Sequence, residues 1–124
     1  MIGPDLVAAL DSLLCEHPAV AVSAKGHAAH ANRYVAANGC PIATEPKRTN
    51  TANLWVRADS VRHHRLADIS HQPFDHRSFD VSKPNHNLFG EPAFKDCDLI
   101  RYQPRDLWQA VKLIFEVAGA GKPA

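Results

Sequence analysis

The first pattern in the chain is helical. Leu6, Val7, Leu10, Leu13 and Leu14 recur at helical spacing and form one apolar stripe. Pro4 suits the first helical position, and Asp5 sits where the helix dipole favours an acid. His17 falls in or just past the last turn, and Pro18 stops the helix. One apolar stripe on an otherwise polar helix predicts a helix that covers a sheet.

Shorter apolar runs follow. Ala19 to Ser23 reads as a strand. Arg33 to Ala37, Asn38-Gly39 and Cys40 to Ala43 read as a hairpin, because Asn-Gly suits the two positive-φ positions of a type I′ turn. Pro41 places the return strand at an edge or at a strand start. The competing assignment is a short helix over 29–37 that Gly39 terminates, since alanine is a strong helix former. Residues 45–52 are polar and read as a loop. Asn53 to Arg57 reads as a strand, and so do Phe79 to Ser82 and Leu99 to Tyr102. Between Arg57 and His76 no period is clean. Lys83 to Pro92 reads as a proline-bounded loop.

A second helix is predicted near the end. Pro104 opens it, Asp106 lies in its first turn, and Gly119 closes it. Leu107, Trp108, Val111, Ile114, Phe115 and Ala118 would form its core-facing side. Trp55, Trp108 and Phe115 are accordingly expected in the core, and Cys15 is expected to pack on the first helix. Two helices around short strands and tight turns predict one α+β domain over residues 1–124. Its sheet should be small and mainly antiparallel, with both helices on one face and the other face open to solvent or a partner.

Composition narrows the function classes. With 124 residues and 45% apolar content, a core can form without disulfide or metal staples. A net charge of +1 excludes a histone-like polycation. No basic leader precedes an apolar run, so no secretory signal is expected, and no window suits a membrane span. Cys15, Cys40 and Cys97 are odd in number and form no CxxC pair, which argues against a disulfide framework or a cysteine zinc site. Free thiols fit a reducing compartment, so a cytoplasmic setting is expected.

Charge is uneven along the chain. Residues 1–21 hold three acids (Asp5, Asp11, Glu16) and no base, whereas residues 22–86 hold nine bases against five acids and seven of the eight histidines. This basic middle is where a polyanion would bind. Lys25 and Arg33 contribute to it, Tyr34 or Trp55 could stack on bases, and Lys47 to Thr51 carries donors suited to phosphate. Nucleic acid is therefore the favoured partner, with Lys47, Arg48, Arg57, Arg62 and Arg65 as its contacts.

The histidines offer an alternative. His63, His64, His71 and His76 are interleaved with Asp68 and Asp75, and neutral imidazole ligates zinc-like divalent ions. No cofactor is predicted outright, but this cluster could hold a metal that activates water in a hydrolase or nuclease. Neighbours on a strand face opposite ways, so His63 and His64 could share one site only from a loop. A third alternative is a protein-interaction module, or a homo-oligomer, that uses an open sheet face or edge.

Other motifs carry less. Asn85, His86 and Asn87 could bind a ligand or a base edge, although asparagines in such loops usually bond their own backbone. Pro4-Asp5 with Glu45-Pro46-Lys47 matches a metal-nuclease pattern in letters. Asp5 opens a helix, however, and Pro46 breaks the strand that should carry Glu45 and Lys47. Cys97 lies between Asp96 and Asp98, which would blunt a thiolate. No glycine-rich phosphate loop occurs.

Overall fold

The structure is a computed structural model that describes residues 3–27, 32–37, 39–45, 52–75, 94 and 97–120. Helix α1 (Gly3–Glu16) leads into strands β1 (Val20–His27), β2 (Asn32–Ala36), β3 (Pro41–Thr44) and β4 (Leu54–Arg57). Two 3₁₀ turns follow, at Ala58–Ser60 and His63–Arg65. Strands β5 (Ser70–Phe74) and β6 (Leu99–Gln103) come next, then helix α2 (Leu107–Phe115), which runs into a π-helical turn (Glu116–Ala120). The expected strand at 79–82 and the loop at 83–92 lie outside the described residues.

The six strands form one antiparallel sheet in the order β1-β2-β3-β4-β6-β5. The first four make a meander. The last strand then inserts between β4 and β5, which leaves β5 at an edge among the described strands. Pro73 sits in β5, as expected for a residue that cannot donate to a ladder. Together with the two helices this is a small α+β fold, as the sequence predicts.

Strand alternation divides the core in two. Tyr34, Ile42, Leu54, Val56, Ile100 and Tyr102 project to the helix side. There they meet Leu6, Val7, Leu10 and Leu14 of α1 and Ala110, Leu113 and Ile114 of α2. The opposite face is not bare, contrary to expectation. Ala43, Trp55, Phe74 and Leu99 are buried there with Phe94, and Cys97 packs against them. The register explains it: Trp55 lies across from the small Ala43, which makes room for a large ring that needs its own cover. Phe74 supplies part of that cover at 5.2 Å between centroids, and the Arg101 guanidinium lies 5.7 Å from the same ring.

Three local readings are decided by the geometry. Residues 32–36 form a strand, so the alternative helix over 29–37 does not form there. The β2–β3 connection closes over three residues rather than two. Ala36 N–H bonds Cys40 C=O, Gly39 N–H bonds Ala36 C=O, and Gly39 is left-handed, at φ 88°. Such a loop needs its positive φ at the last residue, which glycine supplies without cost. Cys15 is exposed, with Sγ 3.8 Å from the Tyr34 hydroxyl.

Helix α2 differs most. It begins at Leu107, after an N-cap at Asp106 whose Oδ1 accepts the Gln109 N–H at 2.8 Å. Gln109 Oε1 in turn accepts the Arg105 N–H at 3.0 Å, a variant of the capping box. Its buried side is Gln109, Ala110, Leu113 and Ile114. Leu107, Trp108, Val111 and Phe115 are exposed. Nearly every position of α2 is apolar, so periodicity could not choose between its faces.

One carboxylate ties α1 to the sheet. Asp11 Oδ1 accepts from the Tyr34 and Thr44 hydroxyls, each at 2.6 Å, and Oδ2 accepts from Asn32 Nδ2 at 3.1 Å. Tyr34 and Thr44 are fully buried, so without Asp11 both hydroxyls would lose this acceptor. Asp11→Ala is expected to lower unfolding stability by about 2–4 kcal/mol, against under about 0.5 kcal/mol for the exposed Ser12→Ala. Urea denaturation of both variants measures this, and equal losses would contradict the anchoring role.

Candidate functional site

Tight turns deliver the histidines to the sheet edge. After β4, Arg65 N–H bonds Arg62 C=O, Leu66 N–H bonds His63 C=O, and Ile69 N–H bonds Leu66 C=O. Leu66 and Ile69 are fully buried and pin this segment to the main core. The chain then enters β5, where His71 lies directly across from Tyr102 of β6. His63 arrives from the second 3₁₀ turn onto the same pair.

The three rings form a cluster. His63 Nδ1 is 2.7 Å from the Tyr102 hydroxyl, and the His63 and His71 centroids are 4.3 Å apart, edge to face. His71 Nδ1 is 2.8 Å from the Ile69 carbonyl. A carbonyl only accepts, so Nδ1 of His71 carries the proton and Nε2 is the acceptor of its neutral ring. Burial holds His63 below its ordinary value, and the neighbouring His71 and His64 push the same way. Burial also pushes Tyr102 up to about 12, helped by the negative charge of Glu116. At neutral pH the cluster is therefore an uncharged His63 bonded to a protonated tyrosine.

Beside it opens a pocket of about 380 Å³ between β5 and the start of α2. Its lining includes Asp68, Ser70, His71, Arg105 and Gln109. Gln109 braces it, with Nε2 3.3 Å from the Asp68 carbonyl. Lys112 Nζ bonds Asp68 Oδ1 at 2.7 Å and holds that carboxyl below its ordinary value. Arg105 is exposed, with Nε 3.6 Å from Asp106. The pocket thus joins a guanidinium, a hydroxyl and an imidazole, groups able to hold an anionic oxygen and to exchange a proton with it.

The expected phosphate contacts divide. Lys47 and Arg48 lie outside the described residues. Arg57, at the end of β4, makes a two-bond pair with Asp59 at 2.9 and 3.2 Å, which raises its pKa. Arg62 is bound by the buried Glu116 at 3.1 and 3.3 Å. Arg65 is exposed in the second 3₁₀ turn. Of the four metal candidates, His63 and His71 come together, His64 is exposed, and His76 lies outside the described residues. Among the described residues no three histidine, cysteine or acidic side chains converge as a metal site. Asn85, His86 and Asn87 also lie outside them.

Glu45 has a different setting from the nuclease pattern. It is buried after β3, and Oε1 accepts from Trp55 Nε1 at 2.7 Å and Asn53 Nδ2 at 2.9 Å. Gln103 Nε2 extends this chain to Asn53 Oδ1 at 2.8 Å. Asp5 lies in the first turn of α1 instead.

Sequence reasoning missed Tyr102, Ser70, Arg105 and Gln109. The spacing of Asp106 and Gln109 was a readable capping signal. The His71–Tyr102 pairing was not readable, because it depends on strand order. Comparison with protein-family models, with curated proteins and with solved structures found no match.

The cluster makes stability depend on pH. His63 is depressed in the folded state, so between that value and 6.5 the unfolded chain binds more protons. Stability then rises with pH through this window and is lost as pH falls through it. An NMR titration should find His63 titrating below 6.5, and higher in His71→Asn than in the parent. An unmoved midpoint in that variant would contradict the coupling.

Proposed function

We propose that the protein is a small nucleic-acid-binding module that seats a backbone phosphate in the pocket between β5 and α2. The observation that carries this reading is that His71 and Arg105 line one open pocket. Arg105 supplies a planar donor fork suited to phosphate, Ser70 a hydroxyl, and His71 a second cation when protonated. Arg65, exposed in the turn just before the pocket-lining Asp68, is a further cation for the same strand. Arg57 and Arg62 contribute less than their sequence position suggests, because Asp59 and Glu116 already neutralise them. None of the three cysteines is disulfide-bonded, as a reducing, cytoplasmic setting would require. No helix among the described residues is long and apolar enough to cross a membrane.

A second reading keeps the metal-dependent hydrolase or nuclease. Its support is that His63 and His71 both engage Nδ1, with Tyr102 and Ile69 respectively. A second bond at the other ring nitrogen is how metal-bound histidines are usually oriented. His64 or His76 would have to complete that site.

Fluorescence anisotropy with labelled single-stranded and duplex oligonucleotides tests the first reading. Affinity should fall steeply with salt, and Arg105→Ala should reduce the log–log slope by about 1. Arg57→Ala should change it less. Absence of binding at the lowest salt would refute the proposal, and zinc calorimetry with His71→Asn would then test the second reading.

A further inference from the structure

The outer face of α2 has no assigned role in either reading. Trp108 is 78% exposed, Phe115 68%, Leu107 45% and Val111 44%. At about 100° per residue these four fall within an arc of about 100°. The buried face made by Ala110, Leu113 and Ile114 is a different one. A helix that is apolar nearly all round is normally covered on both sides.

We propose that this stripe is a self-association surface, on which α2 of a second copy packs antiparallel across a two-fold axis through Val111. The stripe is close to symmetric about that residue. Leu107 lies four positions before it and Phe115 four after, so a two-fold pairs Leu107 with the partner's Phe115 at both ends. Four side chains so exposed present on the order of 400–500 Å² of apolar surface. Two copies would bury roughly twice that, the low end for specific interfaces, which makes the dimer reversible. The rim carries both signs, with Lys112 bonded to Asp68 and Arg105 held only loosely, 3.6 Å from Asp106. Two such rims do not repel each other. Among the described residues they also lack the basic flank that draws an amphipathic helix to an anionic membrane. The proposal stands independently of the nucleic-acid reading.

Sedimentation of the full chain tests it. The weight-average mass should approach twice the monomer value between about 10 μM and about 1 mM. Trp108→Glu and Phe115→Glu, both on the exposed face, should keep the parent circular dichroism and remain monomeric. In a Cys15→Ser background, Val111→Cys should form an interchain disulfide on mild oxidation, which reports the register directly. A monomer at every concentration overturns the proposal, as does a dimer unaffected by both glutamate variants. Binding of the monomer to phosphatidylserine vesicles, lost in Trp108→Glu, would also overturn it in favour of a lipid surface.

Discussion

The position of β6 between β4 and β5 constrains most of the structure. Its alternation sends Ile100 and Tyr102 to the helix core and Leu99 and Arg101 to the other side. Both sides of the sheet are therefore completed by one five-residue strand. Tyr102 gathers the two histidines, Arg101 lies over Trp55 and bonds Gln72, and Gln103 joins the Glu45 network. The strand is far along the chain from β4, so this closure is a long-range event with a high entropic cost. Once formed, it also delivers α2 to the sheet edge where the pocket lies.

Local chemistry made much of the fold legible. The α1 stripe, the Asn38-Gly39 turn and the apolar runs at 54–57 and 99–102 each have a short-range signature. Strand order does not, because it is decided by which faces can be buried together. That is why β5, with Ser70, His71, Gln72 and Pro73 all exposed, went unread within a segment lacking a clear period. Helix α2 shows the opposite difficulty. Its apolar residues were plain, but they occupy two faces, and helical periodicity alone does not say which turns inward. The candidate site shares both problems: its histidines were visible as a cluster, while Tyr102 and Arg105 joined them only through the topology.

Charge tells a similar story. The surplus of bases in the middle of the chain suggested a phosphate surface built from Lys47, Arg48, Arg57, Arg62 and Arg65. In the folded protein, carboxylates from near and far answer two of them: Asp59 two residues away, and Glu116 from the far end of the chain. Sequence position sets the local excess, but the fold decides which cations keep their charge unanswered by an acid. The exposed Arg57–Asp59 pair adds little to stability, while the buried Glu116 depends on Arg62 far more.

The two ends of the Gln109 amide have a dynamic consequence. Its oxygen holds the Arg105 amide, and its nitrogen holds the Asp68 carbonyl. The first turn of α2 and the loop that walls the pocket thus share one side chain. Fraying of the helix start loosens the loop, although Leu66 and Ile69 still pin its ends, and anything that fixes the loop also steadies the helix start. The two segments should behave as a single cooperative opening unit in hydrogen exchange, and occupancy of the pocket would be read out as slower amide exchange in α2.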